Sequence, residues 1–371
     1  VEMAWLDRVS VPIWHATGNH TTYDEMSEAV FRDVAAMPRN GPAGEEGLSY
    51  WVRRGDLLVA FLHTSSMRLG GEGYVDTAWL DEVLSEHGDA HHKFVVGHHP
   101  VHTINGFSGA YQREVAPELG RELWRILVAH GVGAYLCSHI LAFDVQVHQG
   151  VVQLCTAGAG TEHRMPEGDE YLHCVQLAID ADGLRFQVLD VAGRVRERLD
   201  WPPNDHGAQK VGTFEPGDYD PPVSFPGTCK RIRLDISGTL PSATEGRAQT
   251  LLCLDEPGAL PPLWLGLRGA VPRLMAVLHH APHRSPHTWI GPELTPDARF
   301  EISVLLDADM GPGGLLWQDA GGCGWTSMAA ASSWGLERLH SASRWIVGHA
   351  AGGLGDRPFS GVDLRVDLIM P

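Results

Sequence analysis

Apolar positions in the first two hundred residues follow two periods. In DEMSEAVFRDVAAMP, Met26, Val30, Val34 and Met37 recur at helical spacing and share a face, with Asp24 placed to cap the first turn. A second helical pattern, WLDEVLSEHG, stops at Gly88, and a third, ELGRELWRILVAHGV, aligns Leu119, Leu123, Ile126 and Leu127 ahead of Gly131. Short apolar runs stand between them and predict strands: LLVAFLH at 57–63, FVVG at 94–97, VGAYLC at 132–137, VVQLCTA at 151–157, then CVQLAI and RFQVLDV up to about 191. Val11, Pro12, Ile13 and Trp14 predict one more buried strand, from which Gly18 gives a sharp exit. Interleaved strands and helices predict a layered α+β or α/β domain over 1–200, with its chemistry in the loops at the strand ends.

WPPNDHGAQK and FEPGDYDPPVSFPG then break the pattern and predict a Pro/Gly-rich linker over 201–228. Beyond it the spacing changes to alternation. Phe300, Ile302, Val304 and Leu306 are interleaved with Glu301, Ser303 and Leu305, GVDLRVDLIM repeats the pattern, and almost nothing in 229–371 predicts a long helix. The economical expectation is an all-β, jelly-roll-like sandwich.

Charge and composition narrow the partners. Twenty-eight Lys and Arg face 46 Asp and Glu, a formal charge of -18, so the overall field repels nucleic acid. The six cysteines form no CxxC pair, which removes a zinc knuckle and the dense disulfide framework of a small secreted domain. No apolar run approaches the ~20 residues that span a bilayer, and the first residues carry no signal-peptide pattern, so the expected location is cytoplasmic by default.

Within this frame, GNH at 18–20, KFVVGHHPVH and AYLCSHILAFDVQVH each set a metal-capable side chain just past a predicted strand. Asn19, His98 and His139 are the candidates, because strand ends on one edge of a sheet converge. A carboxamide oxygen and imidazoles suit zinc, iron or manganese, and a cation would give the acidic chain a local positive field. The alternative is a polar plug, with Asn19 and His20 bonded to each other. His99, His102, His148 and His163 are further polar candidates for which hydrogen bonding or packing suffices.

In that order, GNH, VVGHHP and AYLCSHILAFD resemble the later metal motifs of the calcineurin-like metallophosphoesterases, especially the purple acid phosphatase branch, over about residues 8–195; SYWVRRGDLLVAFLHTS resembles the strand pair that follows GNH in that family. The resemblance implies a two-sheet sandwich flanked by helices and one or two divalent or trivalent ions, Mn, Zn or Fe, that orient a hydroxide for attack on a small phosphate ester. It implies Asn19, His98 and His139 as ligands and His20 as the group that stabilises or protonates the leaving oxygen. Asp144, His99 and His163 are supporting candidates. Thr21 stands where the family has an acid, Leu141 where it has its last histidine, and the early Asp-x-His and Gly-Asp motifs do not precede residue 18. Two explanations follow, a natural chain with a longer amino terminus or a degenerate member. The corresponding functions are a metal-dependent phosphomonoesterase or phosphodiesterase and a non-enzymatic binding protein.

PPLWLGLRG, SPHTWIGPEL and the stretch 310–339 resemble concanavalin-like or laminin-G-like sandwiches, implying carbohydrate or protein contact. Trp264, Trp289, Trp317, Trp325, Trp334 and Trp345 are candidates for a sugar platform or, alternatively, packing anchors. Asp307 and Asp309 are too few for a calcium site. His279, His280, His283 and His287 predict a loop.

Overall fold

The computed structural model describes residues 8–22, 24–102, 114–140, 143–158, 171–181, 183–201, 207–220, 231–243, 246–256, 260–279, 287–307, 315–319, 324–325, 344–350 and 357–370. Its contacts divide the chain into two units, one made of 1–140 with 153–155, the other of 141–152 with 156–371. A mixed α and β region is followed by a β-rich one, as the change of period predicts.

The first unit is built on strands β1 (Tyr50–Arg54), β2 (Leu57–Phe61), β3 (His92–Val96) and β4 (Ala134–Cys137), neighbours in that order. β1 and β2 form an antiparallel hairpin, whereas β2, β3 and β4 run parallel. Parallel neighbours need crossovers. Helix α2 (Thr77–Glu86) makes the first, capped by the Asp76 carboxylate on the Trp79 N–H at 3.0 Å, and buries Trp79, Leu80, Val83 and Leu84. Helix α3 (Pro117–Ala129) makes the second, starting on Pro117, whose missing N–H costs nothing in a first turn, and burying Leu123, Trp124, Ile126 and Leu127. These apolar stripes fit the sequence patterns closely.

Two expectations for this unit are corrected. The run from Val11 to Trp14 forms no strand, and Val11 is 63% exposed. Pro12 has no N–H for a ladder. The segment is held instead by isolated contacts, such as the Tyr50 hydroxyl donating to the His15 carbonyl at 2.8 Å. Helix α1 (Glu25–Ala35) has its Asp24 cap, accepting from the Ser27 N–H at 2.7 Å, but turns its apolar stripe outward. Met26, Val30 and Val34 are 75%, 56% and 70% exposed, while Glu28 is buried. The inward face is polar because Glu28 meets Arg32 and the fully buried His63.

The second unit contains β5 (Asp144–His148), the start of β6 (Val151–Cys155), and an antiparallel meander of β7 (His173–Asp180), β8 (Gly183–Asp190) and β9 (Val195–Trp201). Two six-stranded sheets follow. One has the order β10 (Gln209–Phe214), β21 (Val362–Met370), β12 (Arg231–Thr239), β17 (Arg299–Asp307), β18 (Leu315–Asp319), β19 (Gly324–Trp325). The other runs β11 (Gly217–Tyr219), β20 (Arg344–Val347), β13 (Gln249–Asp255), β14 (Leu263–Arg268), β15 (Arg273–Leu278), β16 (His287–Glu293). β10 and β11 lie inside the Pro/Gly-rich stretch 201–228, so that stretch is not linker throughout: Gln209–Phe214 and Gly217–Tyr219 pair with the two late strands β21 and β20.

Alternation in β12 sends Ile232, Leu234 and Ile236 inward, and Ile302, Val304 and Leu306 of β17 join them. Leu252 and Leu254 of β13, Leu263, Leu265 and Leu267 of β14, and Trp345 of β20 supply the opposing wall of the same core. Two antiparallel sheets packed through one apolar layer result. The second sheet is also apolar on its other face, where Cys253, Trp264 and Ile346 are buried together, with Ala248, Met275 and Val277 half-buried beside them.

Candidate functional site

The first unit brings together the three principal candidates, from two strand ends and one turn. β3 delivers His98 and His99, β4 delivers His139, and Asn19 sits in a single 3-10 turn, Asn19–Thr21, in place of a third strand end. That turn is closed by the Thr21 N–H on the Gly18 carbonyl at 2.9 Å and by the Thr22 hydroxyl on the same oxygen at 2.9 Å. Gly18 lets the turn approach closely: a Cβ there would stand 3.1 Å from the His98 ring.

Hydrogen bonding within the cluster defines its chemistry. Asn19 Nδ2 donates to Glu72 Oε1 at 2.5 Å, which fixes the carboxamide so that Oδ1 faces His98 Nε2 at 3.0 Å. An amide oxygen only accepts, so His98 Nε2 carries the hydrogen and has no lone pair to offer. His139 Nδ1 lies 3.1 Å from the same nitrogen and accepts. Behind them, Thr64 Oγ1 accepts from the His98 and His99 backbone N–H groups at 3.2 Å each and donates to His99 Nδ1 at 2.8 Å. Burial first, then the neighbouring His139 and His20 imidazoles, pushes His98 down to about 4. Burial and the His139, His98 and His63 rings push His99 to about 2. The His98 and His99 rings are therefore neutral, and both pack against the His139 ring.

Among the described residues, no group of three or more His, Cys, Asp and Glu side chains is placed to hold a metal ion. This overturns the expected Mn, Zn or Fe cofactor, and with it the metal-bound hydroxide and phosphate-ester hydrolysis. The physical reason is local. The contacts that bring Asn19, His98 and His139 together use Oδ1, Nε2 and Nδ1 on one another, and one oxygen of the Glu72 carboxylate accepts from the Asn19 amide. His20 is exposed at the turn. Asp144 is a buried residue of the second unit and accepts from Gln146 Nε2 at 2.6 Å; His163 and Leu141 lie outside the described residues. His148 meets the Gln146 carboxamide oxygen at 2.9 Å, a hydrogen-bonding role.

His139 also has a strained backbone. Its φ is +63°, and the Ile140 N–H bonds to the Ser138 carbonyl at 2.7 Å across it, the geometry of a tight γ-turn. Only glycine adopts this region without cost. His139→Gly is therefore expected to be more stable than His139→Ala by about 1 kcal/mol, read from urea unfolding midpoints. Equal midpoints would remove the strain argument.

Sequence reasoning missed the polar support beneath this cluster. His63 bonds Thr17 Oγ1 through Nδ1 at 2.9 Å and faces Glu28 through Nε2 at 3.4 Å, and this contact is the largest cause holding the Glu28 carboxyl below its ordinary range. Buried Glu45 accepts from the Ser66 hydroxyl and, at 3.0 Å, from the Ser49 hydroxyl. The signal available was the polar run His63-Thr64-Ser65-Ser66 directly after β2.

The second unit has a different kind of site. An open pocket of about 800 Å³ lies over the second apolar face of the β13-β14-β15 sheet. Ala248, Trp264, Met275 and Val277 form its apolar lining; Arg247, Arg268 and Arg357, with Gln249, His279 and Ser360, supply the polar groups. No described Asp or Glu lines it. Trp264 is buried, its Nε1–H donating to Thr250 Oγ1 at 2.9 Å, and Trp345 is buried in the main core. These two indoles are packing anchors rather than sugar platforms. His279, expected only as part of a loop, lines the pocket.

No family model matches the chain, and no curated protein matches it. Among solved structures, purple acid phosphatase PPD1 from yellow lupin (Lupinus luteus) seeds matches at 16% identity and a TM-score of 0.39, over 51% of this chain and 40% of that one. GAP50, the anchor in the inner membrane complex of Plasmodium, matches at 14% identity and 0.31, over 41% and 53%. The chain thus spans about half or less of each of these two. The Ruminococcus gnavus IT-sialidase CBM40 bound to α2,6-sialyllactose matches at 17% identity and 0.32, over 43% of this chain and 92% of that one. These are distant, partial likenesses, and nothing further rests on them.

Proposed function

We propose that this chain is a binding protein whose C-terminal β-sandwich recognises a glycan or a protein, with the α+β region as its scaffold. On this proposal the first region is a metallophosphoesterase-type layered domain, of the purple acid phosphatase-like kind, that has kept the positions of Asn19, His98 and His139 as a structural cluster. The second is a concanavalin- or laminin-G-like sandwich, taken to begin at Gln209, where its first strand starts, and not at 229. One observation carries the proposal: the open pocket on a sheet face combines an apolar floor with several convergent polar side chains, the composition of a recognition site. In the histidine cluster, by contrast, Asn19 Oδ1, His98 Nε2 and His139 Nδ1 face one another.

The test uses the full chain on an immobilised glycan array, in parallel with aryl phosphate and bis-aryl phosphate assays. Saturable glycan binding that persists in EDTA, without phosphate-ester turnover, is the expected result. Val277→Glu, which sets a charge on the half-buried floor, should abolish binding while leaving the thermal midpoint nearly unchanged. Metal-stimulated turnover that is lost in His98→Ala would overturn the proposal.

A further inference from the structure

We infer that the pocket of the β-sandwich takes a carboxylate-bearing saccharide, an inference that rests on the binding role proposed above and specifies its ligand. The first ground is charge. In a chain with 46 acidic against 28 basic residues, three arginines and no described acid line one pocket. Other arginines of the same sandwich are neutralised nearby: Arg273 by Glu293, Arg344 by Asp255 and Asp218, Arg365 by Asp367. Arg268 and Arg357 have no carboxylate partner among the described residues. Arg268 is exposed, and Arg357 is half-buried with its guanidinium 5.9 Å from the centre of the Trp264 ring. A planar guanidinium matches a carboxylate through two parallel N–H bonds.

The remaining lining completes the match. Gln249 Oε1 is held by the Ser360 N–H and hydroxyl, both at 2.9 Å, so the carboxamide has N–H donors left to offer. His279 Nδ1 lies 2.7 Å from the Pro261 carbonyl and donates to it, which leaves Nε2 as an acceptor for a hydroxyl. Met275, Val277 and Ala248 give an apolar floor for the C–H face of a pyranose ring. A small inorganic anion would leave that floor uncovered, and a neutral sugar would leave the guanidinium pair unneutralised. A volume of about 800 Å³ accommodates a short oligosaccharide.

Isothermal titration of the full chain would compare trigalacturonate, glucuronate-terminated and N-acetylneuraminate-terminated trisaccharides with their methyl esters, neutral trisaccharides and a sulfated trisaccharide. At least one carboxylated sugar should bind, weaken ~10-fold or more on esterification, and weaken similarly in Arg268→Met and Arg357→Met. Its affinity should fall as salt rises from 50 to 500 mM. Unchanged thermal midpoints in both variants separate lost binding from lost folding, and Arg268→Lys should retain part of the affinity. Equal binding of acids and esters, or binding of neutral sugars alone, would overturn the carboxylate inference and leave glycan recognition standing. A preference for the sulfated sugar over every carboxylated one would also overturn it. Absence of binding across the whole panel would remove both the inference and the glycan reading of the pocket.

Discussion

Gly97→Ala is expected to destabilise the first unit by about 3 kcal/mol, a large fraction of an ordinary domain's stability. Gly97 follows β3, and its N–H bonds the Leu136 carbonyl of β4 at 2.9 Å, so the backbone has no freedom to withdraw. A Cβ at this position would stand 2.2 Å from Tyr135 Oη and 3.0 Å from Thr64 Cγ2. Tyr135 is fully buried and donates to the His99 carbonyl at 2.7 Å. It therefore has neither space to rotate into nor a bond it can give up cheaply. Overpacking and the loss of a buried hydrogen bond add in the same direction. Tyr135→Phe removes the clashing oxygen. Alone it should cost about 1 kcal/mol through the missing bond, but in the Gly97→Ala background it should restore part of the lost stability. Urea unfolding of the four members of this cycle measures the coupling. Additive losses would show that the close approach of Gly97 and Tyr135 does not govern packing at the β3 exit.

Much of the fold is legible where burial follows one period along a single segment. α2, α3 and the strands β2, β3 and β4 match their sequence patterns because each has one apolar stripe and one obvious core to face. The convergence of His98 and His139 was also legible, since parallel strands deliver successive loops to one edge, whereas Asn19 reaches them from a turn and not from the expected strand. α1 was not. Its stripe of Met26, Val30 and Val34 is as regular as any in the chain, yet the buried face carries Glu28, whose partners His63 and Arg32 decide the orientation. Periodicity identifies a face; it does not say what that face meets.

The metal expectation failed for a related reason. Residue types at strand ends resemble a ligand set, but whether lone pairs converge depends on hydrogen atoms, and Asn19 Oδ1 and His139 Nδ1 both address the Nε2–H of His98. The arginine pocket had no local signal at all. Arg247, Arg268 and Arg357 are spread over more than a hundred positions of the chain and come together only through the antiparallel order of the sheet and the late return of the chain. A net charge of -18 hides a cationic site of this size.

Acid should destabilise the first unit between pH 6.5 and 4, ahead of the lowered carboxylates. Burial, its sole cause, pushes the His102 imidazole down to about 4. Its ring packs edge-on to Trp124 at 4.3 Å, and its backbone is clamped by Gln153, whose Oε1 accepts from the His102 N–H at 2.8 Å while Nε2 donates to the His102 carbonyl at 2.9 Å. Above pH 6.5 the imidazole is neutral in both folded and unfolded chains and has no effect on stability. As pH falls below 6.5, the unfolded chain binds a proton that the folded one refuses until about pH 4. Stability therefore declines across that window and levels off beneath it. By pH 5 the loss is roughly 2 kcal/mol for His102 alone. His98 and His99, also held low by burial and by one another, push in the same direction. Asp24, Glu28 and Glu46 are shifted below ordinary carboxylate values, so their contribution is lost only at lower pH. Unfolding midpoints in urea at half-unit steps from pH 7.5 to 4.5 would give the slope. His102→Phe keeps an aromatic ring against Trp124 and the backbone clamp but cannot titrate, so its stability should decline less steeply by roughly 2 kcal/mol over the same range. A wild-type profile flat from pH 7 to 5, or an unchanged slope in His102→Phe, would show that this imidazole does not link stability to pH.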